Sequence, residues 1–266
     1  MGGLCLRPLI KDANLYSMLQ TIPDSQEVQI SPELAEMFKA GMYVGYRKTK
    51  RHPNMRQFIF GTKNNVEVFD LSKVQTKLEE ALNFIRELGR EEKTILFVGT
   101  KACARIAIAK IAEALDMPYV TGRWLGGTLT NIKVILERIA YWQHLEEMER
   151  TGEIKKYIKQ ERFKIAKEAE KLSRMFGGLK IMKKLPAALF VVDMGEESIA
   201  VGEARKKHIP VVALSNSDTN PDLAAYPIPA NDNSKASIEY VLARAEASYR
   251  EGQALRPVAS PEAPLL

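Results

Sequence analysis

Thr94-Ile95-Leu96-Phe97-Val98-Gly99-Thr100-Lys101 is the stretch on which the reading of the fold turns. From Thr94 to Val98 every side chain is β-branched or apolar, and a strand of that composition must be covered on both faces. Beyond Gly99, residues 101–115 bring apolar positions back at helical spacing, so a strand leads into a helix. The same pattern is read at Val66–Phe69 leading into 72–88, and at Ala188–Val192 leading into 196–207. Residues 211–214 then precede a last helix near 234–250. Repeated strand-then-helix units predict an α/β fold, a Rossmann-like three-layer domain with a parallel sheet. Ser31-Pro32-Glu33-Leu34 supplies an N-cap serine and a proline at the first helical position, which places the start of the regular fold.

A long interruption separates two of these units. Residues 131–176 hold 11 basic and 8 acidic side chains and no proline. Ile132, Ile135, Ile139, Trp142 and Leu145 recur at three-or-four spacing, and so do Ile154, Ile158, Ile165 and Leu172, with Thr151-Gly152 as a break. Two antiparallel helices with narrow apolar seams and wide charged faces are expected, an inserted, coiled-coil-like hairpin protruding from the core. The domain plan is therefore an N-terminal extension (1–30), a discontinuous α/β core (31–130 and 177–250), the hairpin (131–176) and a Pro- and Ala-rich disordered tail (251–266).

With 266 residues and 45% hydrophobic content, the chain can bury one substantial core. Its 39 basic against 33 acidic residues leave a net charge of +6, which favours a polyanionic partner. Two cysteines, Cys5 and Cys103, and three isolated histidines, His52, His144 and His208, provide no zinc ligand set. No apolar run approaches the roughly 18 residues that a membrane span needs. Leu6 stands where a myristoylation motif wants Ser or Thr, and the chain reads as soluble and unprocessed.

Parallel sheets bind ligands beyond the carboxyl ends of their strands, so those turns are where an enzyme would show itself. Gly99-Thr100-Lys101 has one glycine, too few for a dinucleotide fingerprint or a P-loop. As a resting place for an RNA phosphate, with Lys101 as the cation, it is better suited. Asp193 and residues 215–222 put carboxylates and hydroxyls at two strand ends, but His208 precedes its strand and falls at the opposite edge. Asp218, Asp222 and Asp232 are the residues that could share a magnesium ion, and turn or capping duties would explain them equally. In Gly122-Arg123-Trp124-Leu125-Gly126-Gly127-Thr128-Leu129-Thr130-Asn131, a tryptophan and an arginine are flanked by residues that free the backbone. Trp124 can be a buried anchor for the loop or an RNA contact, alongside Arg123, Thr128 and Asn131. No cofactor is expected.

The strongest physical signal is Gly45-Tyr46-Arg47-Lys48-Thr49-Lys50-Arg51-His52-Pro53-Asn54-Met55-Arg56, followed by Lys63. Between residues 41 and 66 there are six positive charges (Arg47, Lys48, Lys50, Arg51, Arg56 and Lys63) and no acidic residue. A solvated face normally mixes signs. An extended basic segment flanked by Tyr43, Tyr46 and Phe58 suits RNA, whose phosphates meet arginine and lysine while exposed bases stack on rings. Tyr46, His52, Asn54 and Met55 are counted with the cations as contacts.

These residues resemble those of the small-subunit ribosomal protein S-two family of bacteria and organelles. The resemblance rests on KAGMYVGYRKTKRHPNMRQFIFGTKNNVEVFDL, ILFVGTK, MPYVTGRWLGGTLTN, FGGLKIMKKLPAALFVVDM and EARKKHIPVVALSNSDTNPDLAAYPIPANDN, and it covers most of residues 34–245. It implies no catalysis, contacts with small-subunit ribosomal RNA and neighbouring ribosomal proteins, docking of ribosomal protein S-one in bacteria, and no life as an isolated homo-oligomer. A cytoplasmic bacterial ribosome follows, or an organellar one. Departures are Gly45-Tyr46 where the family usually has Gly-His, Ala230-Asn231-Asp232-Asn233 where it has Gly-Asn-Asp-Asp, and His208 where a helix-ending glycine is common. The second departure weakens a metal at Asp232. The opposing hypotheses are a nucleotide-dependent enzyme using the turns around Gly99 and Asp193, and a ribosomal paralogue acting off the ribosome as an interaction module.

Overall fold

The computed structural model describes residues 31–255, so the N-terminal extension and residues 256–266 of the expected tail lie outside it. After helix α1 (Pro32–Lys39), strands β1 (Val44–Arg47), β2 (Ile59–Lys63) and β3 (Val66–Phe69) form an antiparallel sheet in the order β1-β3-β2. Asn64 and Asn65, at φ 49° and 63°, are two successive left-handed residues between β2 and β3. Such a two-residue turn matches the twist of a hairpin, and asparagine tolerates the conformation. Val66–Phe69 therefore pairs backwards with β2 and stays out of the parallel sheet in which its strand-then-helix context places it. It still feeds a helix, α2 (Leu71–Arg90), capped by Asp70, whose side chain accepts from the Ser72 amide at 3.1 Å.

The second sheet is wholly parallel. Its strands are β4 (Ile95–Val98), β5 (Tyr119–Val120), β6 (Ala188–Val192), β7 (Val211–Ser215) and β8 (Tyr226–Pro229), in the order β5-β4-β6-β7-β8. Successive side chains alternate between two apolar clusters. Ile95, Phe97, Phe190, Val192, Val212 and Leu214 face α2, α3 (Arg105–Ala114) and α7 (Lys235–Ala254). Leu96, Val98, Leu189, Val191, Val211 and Ala213 face α6 (Ser198–Lys206) and the base of the inserted hairpin. With both faces covered, β4 and β6 carry no polar residue and β7 carries only Ser215 at its end. The short edge strand β5 and the proline-bearing edge strand β8 lack this signature, and neither is read from the sequence.

The hairpin consists of α4 (Ile132–Thr151) and α5 (Lys159–Phe176), and Gly152 ends α4 in the left-handed conformation at φ 78°. Ile135, Ile139, Trp142, Leu145 and Met148 of α4 meet Leu172 and Phe176 of α5, with Ile165 and Ala169 half-buried beside them. The second seam differs from expectation at its start. Ile158 is 64% exposed and stands at the N-cap of α5, its amide donating to Glu161 Oε2 at 3.2 Å. Lys180 fixes the base, paired with Glu146 at 2.7 Å and lying over the Trp142 ring at 5.1 Å. From residue 149 to residue 171 nothing is buried. Among the described residues no helix is long and apolar enough to cross a membrane.

α7 continues to Ala254, so residues 251–254, expected in the tail, are helical. Gly252 explains the extension, since it lies against the backbone of Arg86 on α2, and Gly89 of α2 lies against the backbone of Tyr249. The two helices can approach this closely only where both lack a Cβ. Gly89→Ala should put a methyl onto the Tyr249 carbonyl and cost about 1–3 kcal/mol, the usual penalty for overpacking, measured as a lower urea midpoint with unchanged m-value.

Candidate nucleic-acid interface

β4 and β6 lie side by side, yet β5 lies on one flank of the pair and β7 on the other, so the chain leaves them toward opposite faces. In a doubly wound sheet this reversal opens the crevice where ligands normally bind. Here the chain's own charges fill it. Lys101 Nζ lies 3.0 Å from Asp193 Oδ2 and 3.4 Å from Asp232 Oδ2. The Thr100 amide, which a phosphate would use, donates to the buried Glu197 carboxylate at 2.9 Å. Asp193, at φ 69°, folds its Oδ1 back onto the amides of Gly195 and Glu196 at 2.9 and 3.2 Å. Asp232 Oδ1 accepts from Asn216 Nδ2 at 2.8 Å.

The electrostatics follow from burial. Burial works against the Lys101 charge, but Asp232 and Asp193 more than offset it, and the ammonium is held above the ordinary lysine range. Burial also pushes the Asp232 carboxyl up to about 6; the Asp193 charge adds to the push, and Asn216 and Lys101 oppose it. Burial raises Glu197 in the same way, with Thr100 opposing. Lys101 is thus committed to an internal ion pair, with 21% of its side chain still exposed. Two of the three aspartates that could share a magnesium ion have other partners. Asp222 Oδ2 accepts from Asn54 Nδ2 at 2.5 Å while Asp232 faces Lys101, and among the described residues no three His, Cys, Asp or Glu side chains gather as a metal site.

The basic segment lies across this charged edge. Tyr46 and His52 donate their amides to Ser217, to its Oγ at 2.9 Å and its carbonyl at 2.8 Å, and the Tyr46 hydroxyl accepts from Lys101 at 3.3 Å. The segment is not extended throughout, because Lys48–Lys50 and Pro53–Phe58 are 3-10 turns. The second turn buries Met55 completely and Phe58 nearly so, which removes Met55 from the RNA contacts. His52 Nδ1 accepts from the Asn54 amide at 3.2 Å. Asn54 is further held by Asn220 and Asp222. Arg51 pairs at 3.0 Å with Glu67, a fully buried carboxylate one residue beyond the acid-free window. Arg47, Lys48, Lys50 and Arg56 remain exposed, and the half-buried Lys63 is brought near them by the register that sets both Lys63 and Arg47 opposite Val66. Lys50 lies 5.6 Å from the Tyr46 ring centre.

The glycine-rich loop is organised by a residue that the sequence reading misses, Glu203 of α6. Its Oε1 accepts from Trp124 Nε1 at 3.2 Å and the Gly127 amide at 2.7 Å. Its Oε2 accepts from the amides of Leu129 and Thr130 and from Thr130 Oγ1, each at 3.0 Å. Burial pushes this carboxyl up, but the bonds from Thr130, Gly127, Leu129 and Trp124 outweigh it and hold it below the usual glutamate range. Trp124 is 7% and Thr128 1% exposed, the latter bonded to the Leu125 carbonyl at 2.7 Å, so both are internal parts and not RNA contacts. Arg123 and Asn131 are exposed. Gly127 at φ 93° lets the amides converge on one carboxylate, a glycine requirement that composition alone does not distinguish from a flexible binding loop.

A sequence profile described as Ribosomal protein S2 matches residues 37–252. The chain belongs to that family. It is 41% identical over 221 residues to the small ribosomal subunit protein uS2 of Amoebophilus asiaticus (strain 5a2), covering 83% of this chain and 71% of the relative. It is 37% identical over 222 residues to the protein of the same name from Helicobacter acinonychis (strain Sheeba), covering 84% and 90%. The Ribosomal protein S2 family consists of structural, non-enzymatic components, in keeping with a strand-end crevice filled by internal ion pairs.

Two stability measurements test these assignments. Lys101→Met leaves Asp193 and Asp232 without their cation. Its destabilisation should be several kcal/mol at pH 8, as when a buried pair is broken. It should shrink toward pH 5, where Asp232 takes up a proton below its value of about 6. Glu203→Gln sets an amide donor against backbone donors and should cost about 2–4 kcal/mol near neutral pH. Because the Glu203 pKa is depressed, its stabilisation is present above the ordinary glutamate value and is lost as pH falls through the folded one, so parent and variant should converge in acid.

Proposed function

We propose that the chain is a structural constituent of the small ribosomal subunit that grips ribosomal RNA with its basic segment, and so supports translation as a scaffold. The observation that carries this reading is the set Arg47, Lys48, Lys50, Arg56 and Lys63 on a platform anchored to Ser217 and Lys101. None of the five forms an ion pair among the described residues. An unneutralised cluster suits a phosphate backbone, because no internal ion pair has to be broken before the cations meet phosphates. Tyr46, His52 and Asn54 shape the platform, and Arg123 and Asn131 add exposed polar groups from the loop after β5.

The charged faces of α4 and α5 suit a two-stranded, coiled-coil-like arm reaching neighbouring ribosomal proteins, ribosomal protein S-one among them, in a ribonucleoprotein of the bacterial cytoplasm. Both named relatives are bacterial small-subunit proteins, which supports that setting over an organellar one.

With Arg51 paired internally, five charges rather than six are free for RNA. The basic segment should therefore contribute about −3.5 to −4.5 to the log–log slope with which binding to small-subunit ribosomal RNA falls with salt, from 0.7–0.9 per phosphate. Replacing Arg47, Lys48 and Lys50 with glutamine should flatten the slope by about 2 to 3 and leave the melting temperature unchanged. A parent slope near zero in a filter-binding titration would sink the proposal.

A further inference from the structure

A second basic surface lies at the opposite edge of the parallel sheet. β6 and β7 are hydrogen-bonded neighbours with Leu189 opposite Val211, so the segments leading into them meet at the sheet's amino-terminal edge. One segment carries Lys183 and Lys184, the other Arg205, Lys206, Lys207 and His208, and all six are exposed. Among the described residues none of the five cations forms an ion pair. Glu203, the acidic residue on the same helix as Arg205, is turned inward to the glycine-rich loop.

Ordinary stabilising roles account for only part of this set. Arg205 and Lys206 lie in the last turn of α6, where a positive charge is worth about 0.3–1 kcal/mol against the helix dipole. That effect does not reach Lys183 and Lys184, which precede a strand and lie outside any helix. Acidic residues do stand at the same edge: Glu91 and Glu92 precede β4, which pairs with β6 on the side away from β7, and Glu91 lies 3.9 Å from Lys93.

We infer that this surface makes a second contact with an RNA phosphate backbone, an inference that rests on the reading of the chain as a ribosomal RNA-binding protein. Interfaces between proteins are enriched in aromatic residues and arginine and depleted in lysine. Here four of the five cations are lysines and no Phe, Tyr or Trp stands among them. Lysine acts as a point charge toward phosphate and asks for no base geometry. The two basic surfaces flank opposite ends of five-residue strands, which span roughly 17 Å at 3.3–3.4 Å per residue. The α/β core thus acts as a spacer that holds two stretches of RNA a fixed distance apart.

The test compares two variants of the full chain, one with Lys183, Lys184, Lys206 and Lys207 changed to glutamine, the other with Arg47, Lys48 and Lys50 changed to glutamine. Each is checked for an unchanged melting temperature and titrated against small-subunit ribosomal RNA over a range of salt. The quadruple variant should bind more weakly, with a slope flatter by about 2.8 to 3.6 from 0.7–0.9 per phosphate. If it binds like the parent while the triple variant weakens, the second surface is overturned and the first stands. Weakening of the quadruple variant alone keeps the second surface and removes the first. Parent-like RNA binding by the quadruple variant, with poorer retention on whole small subunits, means that the surface faces a protein, and the inference is wrong.

Discussion

Lys101 and the two carboxylates around it, Asp193 and Asp232, hold together the part of the molecule on which everything else is mounted. A parallel sheet sends all its strands out at one edge, and here that edge collects acidic side chains from the turns after β6 and β8. Removing ions from water costs several kcal/mol each, so such a cluster is tolerable only with its counter-charge and hydrogen bonds in place. Lys101 supplies the counter-charge, and Asn216, Gly195 and Glu196 supply donors. Through the Tyr46 hydroxyl the same lysine also reaches the small antiparallel sheet. One side chain thereby joins the two sheets and occupies the crevice where a related architecture would keep a nucleotide.

The Glu203 nest is the counterpart on the other face. Backbone amides gathered around a carboxylate are how many proteins bind phosphate from outside. Here the anion is part of the chain. Both features turn places that elsewhere receive ligands into internal fastenings, and the cations left over point outward.

The central strands were legible because each must bury both faces, which leaves only apolar residues in Ile95–Val98 and Ala188–Val192. The hairpin was legible because its charge density and seam spacing change abruptly at both ends. The antiparallel sheet was not, since Asn64-Asn65 lacks the glycine that usually announces a tight hairpin and the strand-then-helix pattern of Val66–Phe69 points the other way. For the site, the exposed cations were visible as a run without acids. Their internal members were not, because Glu67 lies just outside that run and Glu203 lies more than 70 residues beyond the loop it organises. A composition rich in glycine and aromatic residues looks the same whether the loop awaits a partner or wraps a carboxylate from its own chain.

The strand Tyr226-Pro227-Ile228-Pro229 has a further consequence. Ala230 donates its amide to the Ser215 carbonyl at 3.0 Å, so by alternation the backbone nitrogens at 229 and 227 point away from β7, and both are prolines. That flank of the sheet therefore offers no amide hydrogens at these positions to a newcomer, and the opposite flank, β5, is only two residues long. Exposed sheet margins are where folded chains recruit copies of themselves into aggregates. With one margin chemically blunted and the other too short to template a ladder, the parallel sheet gives a second copy of the chain little to pair with.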